Sequence, residues 1–270
     1  MPVKKDPSGR RSIEAEVEVP GTPEEVWRAI ATGPGISSWF VPSTVDERVD
    51  GAAVCNFGPG MEAASTIKIW EPPHRYVAES VGAESAEEPG NVATEWIVEA
   101  RAGGTCVVRV VHRWFTSKDD WDQQFEGHQE GWKSFFRILR LYLTHFAGQP
   151  STAFQHTGFG PEPKEKVWEG MTGLLGIAGA AVGQRLKTAD GAPPFAGIVE
   201  RVGEAAYPEE LLLRLDEPAP GVAHFFAMAL GGQILLSMRF YLYGPKAAAA
   251  AANVEPLWQA WIKQHFPAPG

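Results

Sequence analysis

The sequence predicts an α+β protein built as two copies of one plan, in which an antiparallel meander of strands is closed by a long C-terminal helix. Three observations predict it. Residues 13–19 alternate strictly between apolar and acidic side chains. Residues 44–114 form strand-like runs punctuated by turn dipeptides, and a helical run rich in aromatics follows them. The same order of segments then recurs after residue 150.

Ile13, Ala15, Val17 and Val19 alternate with Glu14, Glu16 and Glu18, so a period of two places every apolar side chain on one face of a half-buried first strand. Pro20 and Gly21 end it. Thr22 then offers an N-cap hydroxyl, Pro23 occupies the first helical position, and Glu24 and Glu25 favour the positive end of a helix reaching about Ala31. Gly33, Pro34 and Gly35 break that helix, and a second brief helical turn leads to Trp39 and Phe40. The turn signals Asp50-Gly51, Pro59-Gly60, Pro72-Pro73, Pro89-Gly90 and Gly103-Gly104 divide the following residues into the strands of a meander. Ser117 and Asp120 resemble a capping box, after which Trp121, Phe125, Trp132, Phe135, Phe136, Leu139, Leu143 and Phe146 recur at helical spacing. A kink or fray is expected near Gly127 and Gly131, each costing about 1 kcal/mol relative to alanine.

In the second half, Ser151 to Phe159 reads as a strand, and Pro163, Glu165, Val167 and Trp168 echo Pro23, Glu25, Val26 and Trp27. Strands are expected at 194–202, 209–216, 222–230 and 233–243, with turns at Pro220-Gly221 and Gly231-Gly232. The alanine run Ala247 to Ala252 leads into a closing helix with Leu257, Trp258, Trp261, Ile262 and Phe266, where Pro256 is compatible only with a first turn or a kink. His265-Phe266 repeats His145-Phe146 at the close of the first helix. The expected organisation is a disordered tail at 1–11, a first domain at 12–148 and a shorter second domain at 151–267, with a reduced or filled interior in the second.

A formal charge of −9 argues against a polyanion as partner, because counterion release needs clustered Lys and Arg. The one basic cluster, Lys4, Lys5, Arg10 and Arg11, falls in the tail and reads as solvated. Two cysteines, Cys55 and Cys106, suit buried thiols in a reducing, cytoplasmic compartment better than a disulfide framework. The longest weakly polar stretch, Gly173 to Gly183, is too short and too glycine-rich to span a bilayer, so neither nucleic acid nor membrane is an expected partner.

The order strand, helix pair, meander and long C-terminal helix resembles the START-like superfamily, also called SRPBCC, in which a curved antiparallel sheet grips one long helix. Val26-Trp27-Arg28-Ala29, Trp39-Phe40-Val41-Pro42, Asp50-Gly51, Pro72-Pro73, Gly104-Thr105 and Gly131-Trp132 narrow the resemblance. Over residues 12–146 they are similar to the bacterial activator of heat-shock-protein-90 ATPase homologue-like family. Where that family commonly has a double glycine, this chain has Gly51-Ala52. The resemblance implies a helix-grip fold in two copies and, for most members, no assigned reaction.

No phosphate-cradling loop, Gly-x-Ser-x-Gly elbow, His-Glu-x-x-His or Cys-x-x-Cys occurs. Glu126, His128 and Glu130 point different ways on a helix, so no metal or other cofactor is expected. Strand alternation sets Arg109 and His112 on opposite sheet faces and Glu95 and Glu99 on the same one; these, with Glu79, read as solvated charges. Ten tryptophans exceed what filling two cores requires, which points to a lined pocket. Trp27, Trp70, Trp96 and Trp168 read as core. Trp39, Phe40, Trp114, Trp121, Phe125, Trp132 and Phe136 are the candidate ligand-binding residues, and a small apolar or aromatic molecule is the expected ligand. The alternatives are a polyketide aromatase/cyclase-like enzyme, as in other tandem START-like proteins, and a chaperone-associated protein with a protein partner.

Overall fold

The computed structural model describes residues 4–5, 10–57, 62–81, 91–115, 121–205 and 207–268, with residues 4, 5, 10, 81, 115 and 121–130 described by backbone only. The chain divides into two compact units, Met1–Gly148 and Gln149–Gly270.

In the first unit, β1 (Lys4–Lys5) and β2 (Arg10–Pro20) precede two short helices, α1 (Pro23–Ala31) and α2 (Gly33–Ser37). Six strands follow: β3 (Ser43–Val45), β4 (Ala52–Asn56), β5 (Glu62–Glu71), β6 (Arg75–Val81), β7 (Asn91–Arg101) and β8 (Thr105–Phe115). Helix α3 (Trp121–His145) closes the unit. The sheet runs β1-β2-β8-β7-β6-β5-β4-β3, antiparallel at every pairing. This is a meander whose last strand returns to pair with the long first strand, and α3 packs chiefly against β2. Lys4 and Lys5 pair with Ser12 and Arg11, and the long strand begins at Arg10. Strand pairing thus extends into residues read as a solvated tail, because backbone hydrogen bonds along the β2 edge hold the two lysines whatever their side chains do.

Local chemistry fixes the entry. Thr22 accepts from the Glu25 amide at 3.3 Å while the Glu25 carboxylate accepts from the Thr22 amide at 2.9 Å, a reciprocal cap for α1. At the β3–β4 turn Asp50 takes the left-handed conformation, and a Cβ on Gly51 would lie 2.0 Å from the Asp46 carbonyl oxygen, so only glycine fits there. Helix α3 is continuous across Gly127 and Gly131. The capping box read at Ser117 and Asp120 lies outside the described residues.

The second unit repeats the plan with fewer strands: β9 (Ser151–Gly160), α4 (Lys164–Leu175), β10 (Arg185–Lys187), β11 (Ala196–Glu204), β12 (Tyr207–Glu217), β13 (Gly221–Leu230), β14 (Gln233–Tyr243) and α5 (Ala247–His265). Its sheet runs β10-β11-β12-β13-β14-β9, with the first strand again paired to the last. The three-residue β10 has too little alternation to be read from sequence. Pro256 lies well inside α5 rather than in its first turn. The interior is a continuous cluster in which Trp258, fully buried, meets Phe240 at 4.8 Å, Phe225 at 5.9 Å and Phe195 at 6.2 Å. The fold of the chain is α+β, two antiparallel sheets each closed by a C-terminal helix, the helix-grip architecture.

Candidate functional site

The β7–β8 hairpin turns at residues 102–104, where Gly103 and Gly104 both have positive φ. Counting outward from that turn brings Thr94 opposite His112 and Trp96 opposite Val110. Alternation then places Thr94, Trp96 and Val98 on the face that meets α3, together with Val108, Val110 and His112. Across from them, α3 presents Trp132, Phe135 and Phe136 one turn apart.

These side chains form a continuous group of rings. Trp39 is almost wholly buried, its Nε1 donating to the Ala29 carbonyl at 2.9 Å, so the end of α1 fixes its indole. Its ring lies 6.1 Å from Trp96 and 6.4 Å from Phe136. Phe40 stacks on Trp132 at 5.0 Å and meets Phe135 edge-on at 4.4 Å. Trp96 meets Trp132 at 5.2 Å in a T-shape and stacks with Tyr76 at 6.3 Å. Phe57, an exposed ring, abuts Phe40 edge-on at 5.6 Å and extends the group to the surface. Edge-to-face and offset geometries at these spacings are the ones that aromatic quadrupoles favour.

One polar chain crosses the group. Trp132 Nε1 donates to His112 Nε2 at 2.6 Å, the two rings stack at 5.6 Å, and His112 Nδ1 lies 2.9 Å from Thr94 Oγ1. Tyr76, also buried, donates its hydroxyl to the Ile30 carbonyl at 3.0 Å, and burial holds that phenol well above its ordinary pKa.

Of the residues singled out from sequence, Trp39, Phe40, Trp132 and Phe136 come together here. Trp114 is placed instead in a buried cluster with Ile13 and Val92, near the far end of β8. Trp121 and Phe125 lie on α3, but their side chains fall outside the described residues. Trp96, read as core, is a wall of the group. His112, read as a solvated charge, is half-buried against α3, because an even position on β8 shares the face of Val108 and Val110. The signal for Thr94 and His112 was present in the hairpin register, which the Gly103-Gly104 turn sets.

On the opposite face, Glu95 is buried rather than solvated. It accepts from Arg75 Nε at 2.5 Å and also pairs with Arg113. Burial acts to raise its pKa, but the two guanidinium groups prevail and hold the carboxyl below its ordinary value. Arg109 pairs with Glu16 at 3.1 Å and Glu99 at 3.4 Å on this same face. Cys55 and Cys106 are free thiols, both pushed up by burial.

The second unit has an open cleft of about 680 Å³ between the end of β9, the start of α4, the β13–β14 turn and the end of α5. It carries little chemistry. Lys166 on its rim is paired with Glu169 at 2.8 Å, and His265 rests against the Trp261 and Phe266 rings. Among the described residues no group of three or more His, Cys, Asp or Glu side chains could hold a metal ion, and no helix is long and apolar enough to cross a membrane.

Residues 20–144 match the family model described as activator of Hsp90 ATPase homolog 1-like protein. The first domain is similar to this family over the matched residues. The match runs from the end of β2 to the last turn of α3 and spans the whole ring group and the Thr94–His112–Trp132 chain. No curated protein matches the chain. Among solved structures, it is similar to CalU16 from Micromonospora echinospora, at 21% identity over 53% of this chain and 83% of that one, with a TM-score of 0.42. It is also similar to the Aha1 dimer from Colwellia psychrerythraea, at 18% identity over 49% and 95%, with a TM-score of 0.41. The di-domain ARO/CYC BexL from the BE-7585A biosynthetic pathway covers 96% of this chain and 100% of its own, at 14% identity and a TM-score of 0.45.

Proposed function

We propose that the first domain binds a small apolar or aromatic molecule between its sheet and α3, against Phe40, Trp96, Trp132 and Phe136. The observation that carries this reading is the ring group itself, which runs from buried Trp39 to exposed Phe57 and includes one polar chain. Sites for small ligands are walled mainly by apolar and aromatic side chains, with a few polar groups that set orientation. A plain helix–sheet contact needs no such chain, since an apolar side chain at position 112 would pack there without a polar partner.

The aromatase/cyclase-like alternative requires a group that takes or gives a proton. His112 stands in the site, but both its ring nitrogens are engaged, one with Trp132 and one with Thr94. Binding is therefore the reading that the geometry favours.

Titrating the full chain with a panel of polycyclic aromatic compounds and fatty acids, while following tryptophan emission, should give saturable quenching with at least one aromatic member. Trp132→Ala should weaken that binding about tenfold while leaving the circular dichroism spectrum unchanged, a loss in the range of one good aromatic contact with its hydrogen bond. No saturable signal from any member would defeat the binding reading and leave the protein-interaction reading in its place.

A further inference from the structure

We infer that the first domain's site presents a hydrogen-bond donor, the Thr94 hydroxyl, and so selects aromatic ligands carrying a carbonyl-type acceptor over those carrying a donor. This rests on the proposal that an aromatic ligand enters between the sheet and α3. An indole Nε1–H can only donate, so the 2.6 Å contact from Trp132 makes His112 Nε2 an acceptor. A neutral imidazole has one acceptor nitrogen and one N–H, and His112 must therefore carry its hydrogen on Nδ1. That N–H faces Thr94 Oγ1 at 2.9 Å, and the threonine oxygen becomes the acceptor in this contact. The single hydroxyl hydrogen of Thr94 cannot then be given to His112 and is left to be offered to another acceptor.

Thr94 is half-buried and shares the inner face of β7 with Trp96. A ring lying against Trp96 and Trp132 would bring its substituents to that hydroxyl. An acceptor there completes the chain; an N–H there opposes a donor with a donor, and a bare C–H leaves the hydroxyl without a ligand partner. Trp132 acts in this scheme as a positioning residue, since it fixes the His112 tautomer and through it the polarity of Thr94.

Three tricyclic compounds of nearly one shape provide the test: fluorenone, with an acceptor; fluorene, with neither; and carbazole, with a donor. By calorimetry on the full chain, fluorenone should bind about five- to tenfold tighter than fluorene, the contribution of one neutral hydrogen bond, and carbazole no tighter than fluorene. Thr94→Val should remove the fluorenone preference, read as the fluorenone-to-fluorene ratio, and Thr94→Ser should keep it. Trp132→Phe should keep a ring in place yet lower the fluorenone-to-fluorene ratio, which a merely structural role would not move. Nitrogen-15 spectra of histidine-labelled protein, with His112 identified by its loss in His112→Gln, should show Nδ1 protonated and Nε2 bare. Equal binding of all three compounds, a preference for carbazole, or a protonated Nε2 would overturn the inference. If neither fluorene nor fluorenone binds, the binding proposal itself fails and this inference with it.

Discussion

Glu95 is the residue whose surroundings have the clearest energetic consequence. Its side chain is 6% exposed and lies between two guanidinium groups that are themselves partly solvated, Arg75 at 36% and Arg113 at 45%. A carboxyl whose folded pKa is depressed contributes stability that is present above its unfolded value, about 4.3 for glutamate, and is lost as pH falls through the folded value. Glu95→Gln is expected to cost about 1–2 kcal/mol at pH 7, below the full value of a buried pair because water screens both arginines. Urea unfolding repeated at lower pH should show the gap between wild type and Glu95→Gln closing as the medium is acidified below that unfolded value. A gap independent of pH would mean that the two arginines do not stabilise the charged form. Alternation placed Glu95 and Glu99 on one sheet face correctly but could not say which was buried. That distinction comes from neighbours on β6 and β8, a long-range fact that no local pattern carries.

At the scale of the element, the helices that sequence chemistry specifies most fully are the ones whose ends carry caps. Thr22, Pro23 and Glu25 announce α1 at their observed positions. Helix α5 shows the limit of such rules. Pro256 stands inside it, with an exposed ring and no amide to donate to the preceding turn, because buried Val254, Trp258, Trp261 and Ile262 hold the helix on the sheet from both sides of the proline. Packing overrides propensity there. Pro256→Ala should raise the denaturant midpoint, by about 1–3 kcal/mol of stability if the helix relaxes to regular hydrogen bonding. A lower midpoint would show that the core needs the bend. The candidate site follows the same division. Trp39, Phe40, Trp132 and Phe136 were legible as aromatics at loop and helix positions, whereas Thr94 and His112 needed the register of a hairpin, and Trp114 went to another cluster because its place near the end of β8 sets it beside Ile13 of β2 and Val92 of β7.

For the molecule as a whole, the repetition of strand, helix, meander and closing helix made the fold class readable before any single strand boundary was. The boundary proposed near Gly148 to Ser151 can be tested by limited proteolysis of the full chain. Cleavage there, giving two resistant fragments that each retain a cooperative unfolding transition, is the expected result. A single protected core spanning both halves would contradict independent domains.

The pairing of each first strand with its last strand also has a consequence in time. Residues Arg10 to Pro20 leave the ribosome well before their principal partner, Thr105 to Phe115, which is made only after the rest of the meander, and β9 waits likewise for β14. Until then an apolar face and an open backbone edge have nothing to cover them, the condition in which nascent chains aggregate or engage folding helpers. Closing so long a loop is also slow, since its entropy is lost before the contacts that reward it are formed. Synthesis of this protein therefore passes twice through an interval of exposure, and each ends only when the terminal strand and its helix arrive.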